Sequence, residues 1–215
     1  MIKIEHIETY GWEAAVRGAR NPMNSWSKSD SYWSDSLHNG LEYIMGDNDL
    51  TLLTNLRRAG SDHGKFMRMI GVSMDITAMQ PWWFEFDTYK VGTVRNSCSK
   101  MHKIHVKEFT MDDFETDGIE QVDYALSAFK HTLTILNLLR EDFNETQDRK
   151  YWRALIEYLP EGYRMRATVT LSYEVLRNMY HARKNHKLTE WRAFCAMIES
   201  LPYAKELIVE TKRGE

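Results

Sequence analysis

Three stretches of the chain carry residues whose types and spacing could bind an anion. The first is GSDHGKFMR at 60–68, where His63 stands in a glycine-containing turn between a leucine-rich helical pattern and a strand pattern. A histidine at such a junction is a titratable group near neutral pH and a candidate ligand contact. The alternative is an exposed histidine in an ordinary turn.

The second stretch is PWWFEFDTYKVGTVRNSCSKMH at 81–102. Hydrogen-bond donors follow its aromatic start, namely Tyr89, Lys90, Asn96, Ser97 and Ser99. Small polar residues whose hydroxyls converge with backbone amides can cradle a phosphate. The bulky rings before them could form a stacking wall for a ligand ring, and these are Trp82, Trp83 and Phe84. The alternative is a core strand and hairpin, because aromatic residues are mostly buried.

The third stretch is LRNMYHARKNHKLTEWR at 176–192, the most basic part of the chain. Its cationic and titratable residues are Arg177, His181, Arg183, Lys184, His186 and Lys187. No acidic residue lies between Glu174 and Glu190. A basic helix end followed by a new helix start attracts anions. The alternative is a solvated helix end whose cations complement the helix dipole.

Other catalytic or metal-binding patterns are weak or missing. His102 and His105 lie three residues apart, but no neighbouring acid or cysteine completes a metal set, so we predict no metal site. No G-x-S-x-G is present to place a nucleophile, and neither a Walker loop nor a G-x-G-x-x-G is present.

The hydrophobic pattern predicts the elements that must position these stretches. Alternation over 66–78 is the best strand signal, and a repeat of 3.6 residues predicts a long helix from about 120 to 140. We expect the 66–78 strand to lie in a sheet beside 82–106, with a further strand over 102–109. We also predict a strand over 2–9, a helix from Gly11 and a loop or lid over 21–36. Helices are predicted after caps at Asn48 or Asp49, at Ser172 and at Thr189, and over 151–160.

Composition limits the class of protein. The 215 residues are 43% hydrophobic and 12% aromatic, which is enough for a real core, and we expect one α+β domain over 1–215 with a helix-rich second half. The formal net charge of −3 gives no general attraction to nucleic acid. Two cysteines, no signal-peptide pattern and no long apolar run together predict a cytoplasmic protein without a membrane partner.

The order of these motifs resembles the flavin-dependent thymidylate synthase family. AVRGARN is similar to that family's alanine–arginine helix end, and LLTNLRRAGSDHGKFMRMIGVSMDI to its glycine–histidine turn followed by a strand. WWFEFDTYKVGTVRNSCSKM stands where the family has an aromatic pair and R-H-R-x-x-S-x-N-E-x-S-x-R. YLPEGYRMRATVTLSYEVLRNMYHARKNHKLTEWRAFC resembles its later Leu-Pro, Thr-rich and Leu-Arg segments.

The resemblance implies site residues and also shows departures. It implies nucleotide binding by Asn96, Ser97 and Ser99, with Arg183 or His186 at the place of the family's nucleotide-binding arginine, and cofactor binding by His63, Lys90 and Asn178. The flavin-gripping R-H-R triplet corresponds to Glu85-Phe86-Asp87 or, without a gap, to Tyr89-Lys90-Val91. Neither keeps two arginines, and acids there would repel a pyrophosphate. We therefore expect weak or no retention of FAD, the family's cofactor.

Two functions follow from the resemblance. One is a divergent flavin-dependent enzyme, a methyltransferase of nucleotide metabolism that passes a one-carbon unit to a pyrimidine monophosphate. The other is a regulator or sponge that binds the nucleotide and has lost flavin chemistry. Both imply a phosphate-bearing ligand, and the family resemblance implies a homotetramer with sites between subunits. The sequence does not identify catalytic residues.

Overall fold

The computed structural model of the protein describes residues 1–36 and 40–210. Its helices, in chain order, are α1 Trp12–Arg20, α2 Asp47–Arg58, α3 Gln80–Phe86, α4 Lys100–Lys103, α5 Asp123–Thr146, α6 Arg149–Tyr158, α7 Tyr173–Arg183 and α8 Thr189–Glu199. Its strands are β1 Lys3–Tyr10, β2 Tyr32–Ser36, β3 Gly40–Ile44, β4 Gly71–Met79, β5 Thr93–Ser97 and β6 Arg164–Ser172. Short turns of 3₁₀ helix include Gly64–Arg68, and Lys205–Val209 is π-helical. This mixture confirms the predicted α+β class.

The strands form two sheets. Four of them lie in the order β1-β4-β6-β5, so β6 separates β4 from β5. β2 and β3 form an antiparallel pair in which Trp33 lies opposite Tyr43. Alternate residues of β4 and β6 are buried, namely Val72, Met74, Ile76, Ala78, Ala167, Val169 and Leu171. No helix in the described part of the chain is both long and apolar enough to cross a membrane.

One compact unit of the chain consists of Met1–Glu5, Asp75–Thr88 and Arg95–Thr168. Its core lies around α5, α6 and the segment before them, and is formed by Ile104, Phe109, Phe114, Phe129, Leu136 and Leu155. A second apolar group lies on α3, where the rings of Trp82 and Phe86 stack with centroids 5.2 Å apart. Trp83 Nε1 donates to the carbonyls of Ala78 and Met165 at 3.1 and 3.0 Å. These bonds fix α3 against β4 and β6.

The other compact unit consists of His6–Met74, Tyr89–Val94 and the described residues from Val169 onward. α7 is central to it, because it packs against α8, the turn Gly64–Arg68 and the π-helical turn. The buried residues of α7 and α8 recur at helical spacing and include Tyr173, Leu176, Met179, Tyr180, Trp191, Phe194 and Ile198. That the whole chain, 1–215, forms one domain stays a prediction.

Elements with a clean period match their predictions. β1, α1, α6 and α7 lie where they were expected, and Ser172 caps α7 by accepting from the Val175 N–H at 3.4 Å. α5 occupies most of the predicted 120–140 helix and continues to Thr146. The predicted 66–78 strand is present from Gly71, whereas Gly64–Arg68 is a 3₁₀ turn.

The prediction for 82–106 is wrong in its first and last parts. Residues Gln80–Phe86 form a helix, because proline is accepted in a first helical turn and this helix buries Trp82, Trp83 and Phe86 together. The strand expected over 102–109 is instead α4 followed by turns, and Ser99 caps α4 by accepting from the His102 N–H at 3.3 Å. Only β5 lies in the sheet, and it neighbours β6 rather than β4.

Three further local predictions also need correction. The loop expected over 21–36 ends in β2. Neither Asn48 nor Asp49 caps α2, since the carboxylate of Asp30 accepts from both of their N–H groups at 2.9 and 3.0 Å. Thr189 is the first residue of α8 rather than its cap, a position taken by Leu188. β6 was not predicted, although its alternation of buried Ala167, Val169 and Leu171 is the period of a strand.

Candidate functional site

The basic end of α7 holds an arginine fixed by aromatic rings. Arg183 Nε donates to the Tyr89 hydroxyl at 3.0 Å, and its guanidinium lies 5.0 Å from the centre of the Trp191 ring. His186 lies against the same indole at 6.3 Å, and its Nδ1 accepts from the Leu188 N–H. The structure therefore brings Arg183 and His186 together. A planar cation oriented in this way is suited to hold carboxylate or phosphate oxygens.

A polar cavity of about 300 Å³ lies beside the middle of α7. Arg57 and Arg177 line it, together with Ser61, Gly64 and Asn178. Arg57 Nη1 and Nη2 donate to the carbonyls of Glu210 and Glu206 at 2.7 and 2.6 Å. The Nε atoms of both arginines are buried without an acceptor. Burial, and then the charge of Arg177, lower the pKa of Arg57, while Glu174 brings a carboxylate to the same cavity, which therefore carries charges of both signs.

His63 lies at a different cavity, of about 560 Å³. The side chain is exposed and precedes the turn Gly64–Arg68. Much of the cavity wall is apolar and includes Leu56, Phe66 and Met69, while Asp62 and Lys65 add charge. His63 and Asn178 are thus assigned to separate cavities. Lys90 is exposed and follows Tyr89 in the chain.

The run from Asn96 to Ser99 is exposed, as a ligand-binding segment requires. Asn96, Ser97 and Ser99 all have exposed side chains, although Ser99 already caps α4. Cys98 lies within the run and is an exposed free thiol, whereas burial raises the pKa of the other cysteine, Cys195, to about 11. This run and the Arg183 group belong to different compact units, and their meeting at one ligand stays a prediction.

Two cations beside this run were missed by the sequence analysis. Arg95 Nη1 donates to Asp87 at 2.6 Å, and its guanidinium lies 4.0 Å from the centre of the Trp83 ring. Lys100 Nζ donates to the side-chain oxygen of Gln80 at 2.8 Å. Their positions on either side of the small polar run were the available signal.

The proposed stacking wall at 82–84 is wrong for both tryptophans. Trp82 is 0% exposed and Trp83 is 1% exposed, so their rings belong to the core. Phe84 is the exposed member, because it lies on the opposite side of α3 from that core. Across residues 1–36 and 40–210, no cluster of three or more His, Cys, Asp or Glu side chains is placed to hold a metal ion.

Known proteins resemble this chain closely in fold but only weakly in sequence. Neither a protein-family model nor a curated protein matches the sequence. A structure of the flavin-dependent thymidylate synthase ThyX from Helicobacter pylori, complexed with FAD and dUMP, matches with a TM-score of 0.70 and 15% identity, covering 96% of this chain and 97% of that chain. A second structure of that enzyme with FAD and dUMP matches with a TM-score of 0.68 and 14% identity, covering 97% of each chain. The chain therefore has the fold of the flavin-dependent thymidylate synthases.

Proposed function

We propose that the protein binds a pyrimidine nucleoside monophosphate. The observation that carries the proposal is the likeness in fold, over 96% of the chain, to an enzyme whose structure contains dUMP. The basic segment from Arg177 to Lys187 adds support, because it contains no acidic residue to repel a phosphate. We also propose a homotetramer, as the family resemblance implies, and a cytoplasmic location, as the cysteine usage predicts.

In this proposal Arg183 holds two oxygens of the phosphate, and the His186 ring adds a further polar contact. Asn96, Ser97 and Ser99 supply neutral donors. The support for Arg183 is its contact with Tyr89 and Trp191, because a guanidinium that is already oriented loses less freedom when it binds.

FAD is not part of the proposal, because the residues at the flavin-gripping positions do not fit it. Phe86 is buried in the core, and Asp87 brings a carboxylate that is paired with Arg95. In the ungapped alternative, the Tyr89 hydroxyl is already bonded to Arg183. An acid or an already bonded tyrosine at this position takes away a positive charge that would hold a pyrophosphate. We therefore derive no flavin-dependent step, while His63, Lys90 and Asn178 stay predicted cofactor contacts.

Titration calorimetry with dUMP tests the proposal. We expect the wild type to bind, and Arg183→Ala to weaken binding about tenfold to a hundredfold through loss of a charge-assisted contact. Arg153→Ala is the matched control, since Arg153 is exposed on α6 and paired with Glu157. Arg177→Ala forms a third arm, because it tests the 300 Å³ cavity as the place of the phosphate.

Each result has a definite meaning. If the wild type shows no binding below about millimolar dUMP, where only about −4 kcal/mol is available, the proposal fails. If Arg177→Ala weakens binding and Arg183→Ala does not, the ligand is real and its phosphate lies at the cavity. An absorbance spectrum of purified protein that shows stoichiometric flavin would contradict the exclusion of FAD. It would favour the flavin-dependent one-carbon transferase over the nucleotide-binding regulator.

A further inference from the structure

We propose that Arg95 and Lys100 form a phosphate-binding pair along α3. The inference deepens the proposed function, on which it rests for the identity of the natural ligand as a nucleotide. It adds two cationic residues that neither the motif resemblance nor the basic end of α7 includes. Every contact that supports it lies within one compact unit, between Asp75–Thr88 and Arg95–Thr168.

The first support is the way both cations reach the same short helix. Lys100 contacts the side chain of Gln80, the first residue of α3, while Arg95 covers Trp83 and bonds Asp87 just beyond its end. With a rise of about 1.5 Å per residue, Gln80 and Trp83 are only about 4.5 Å apart along the helix axis. Both cations therefore reach neighbouring positions of one short helix, and Arg95 is close enough to influence the charge of Lys100.

The second support is that the charges of this pair are incompletely compensated by their contacts. Lys100 donates to a neutral amide, and Arg95 donates to one carboxylate, that of Asp87. Burial, and then the charge of Arg95, lower the pKa of Lys100. Like charges that lie together in a partly desolvated place repel each other, and a bound anion removes that repulsion.

The third support is a hydrogen-bond donor without an acceptor. Arg95 Nε is buried and has no acceptor, a feature that it shares with four other arginines of the described chain, and an unmade buried hydrogen bond costs free energy. A phosphate oxygen is a suitable acceptor for a guanidinium edge. Ser97 lies two residues further along the same strand, so its exposed side chain is on the same face as Arg95 and can donate to a remaining oxygen.

Asp87 gives the proposal a distinctive consequence. Its carboxylate accepts a hydrogen bond from Arg95, so a phosphate must compete with it for the same guanidinium. Replacing this acid by a neutral amide therefore strengthens anion binding. A purely structural role, in which Arg95 only covers the Trp83 ring, predicts no such gain.

The experiment titrates the full chain with inorganic phosphate and, separately, with dUMP. The phosphate arm follows the lysine ¹³Cε signals by NMR at constant ionic strength, with chloride as the reference anion. We expect phosphate to shift the Lys100 signal and to raise its pKa. Lys100→Met should weaken binding of both ligands about tenfold, and Asp87→Asn should strengthen it severalfold. Lys103→Met is the matched control, because Lys103 is an exposed residue of the same helix.

The outcomes separate this inference from the proposed function. If phosphate moves Lys100 but dUMP does not bind, the pair binds phosphate and the nucleotide proposal fails. If dUMP binds the wild type while Lys100→Met and Asp87→Asn leave its affinity unchanged, the inference is overturned and the nucleotide proposal stands. The NMR titration of the wild type tests the inference even if a variant does not fold. If phosphate does not shift the Lys100 signal, Arg95 and Lys100 do not bind phosphate.

Discussion

Arg20 and Arg95 show two opposite ways of holding an arginine inside this protein. Arg20 is 5% exposed and donates to Asp49, which is 0% exposed, at 2.6 Å. The other oxygen of Asp49 accepts from the hydroxyls of Ser29 and Ser31 at 2.6 and 2.7 Å. Arg95 has a partly exposed carboxylate as its partner and keeps a buried N–H without an acceptor.

The difference distinguishes an arginine whose charge stabilises the fold from one whose charge is available to a ligand. At Arg20 and Asp49 the two charges cancel and the carboxylate is surrounded by donors, so a ligand would have nothing to add. At Arg95 the neighbouring Lys100 leaves surplus positive charge, and a donor remains unused. Unsatisfied polarity, rather than burial or charge alone, marks the place where a ligand would lower the free energy.

The largest effect is expected from breaking the compensated pair. Asp49→Asn leaves Arg20 buried without its counter-charge, and we expect the free energy of unfolding to fall by about 3–5 kcal/mol. Urea denaturation followed by circular dichroism measures this change. Asp47→Asn is the control, because Asp47 is exposed in the first turn of the same helix. Equal stabilities of the two variants would show that the Arg20 pair does not hold the fold.

A smaller effect is expected from acid. Burial alone would raise the pKa of Asp49, but hydrogen bonds from Ser29, Ser31 and Arg20 outweigh it and hold the pKa at about 2, below the ordinary 3.8. A carboxyl with a depressed folded-state pKa stabilises the protein fully above its unfolded pKa and loses that contribution as the pH falls toward 2.

We therefore expect Asp49 to contribute about 2 kcal/mol that disappears between about pH 5 and pH 2. Urea denaturation at a series of pH values measures the slope in the wild type and in Asp49→Asn. The slope should be smaller in the variant, because the amide does not titrate. Parallel curves for the two proteins over this window would assign the acid sensitivity to other carboxyl groups.

The smallest effect is expected from relieving the uncompensated pair. Arg95→Met keeps apolar cover over Trp83 and removes one of two neighbouring charges. We expect little loss of stability, within about 1 kcal/mol, and a higher pKa for Lys100. NMR titration of the lysine side chains measures that pKa. An unchanged value would show that the two cations do not interact, and a large loss of stability would make Arg95 a structural residue like Arg20.

Much of the fold could be predicted from the sequence because several elements have an undisturbed period. β4 alternates from Val72 onward, and α5 repeats its apolar residues at helical spacing. α3 could not be recognised in the same way, since a short helix with adjacent Trp82 and Trp83 has the composition of a buried strand. The capping of α2 by Asp30 was also hidden, because the cap comes from a segment outside the helix.

The candidate site was less predictable because its contacts join distant parts of the chain. Arg183 and Tyr89 are 94 residues apart, and local pattern gives no reason to pair them. The cation between rings was therefore found only in the structure, although Arg183 itself was named from the motif resemblance. Lys100 was missed because its partner Gln80 is 20 residues away in the chain and begins a helix that was not predicted.

The two cysteines make the polar run accessible to selective chemistry. Cys98 is exposed between Asn96 and Ser99, whereas Cys195 is buried in α8 and its pKa is raised to about 11 by burial. A maleimide reacts with the thiolate form and needs access to the sulfur. The native chain therefore offers one addressable thiol under mild conditions, and a fluorophore attached there would sit beside the residues proposed to bind phosphate without any engineered cysteine.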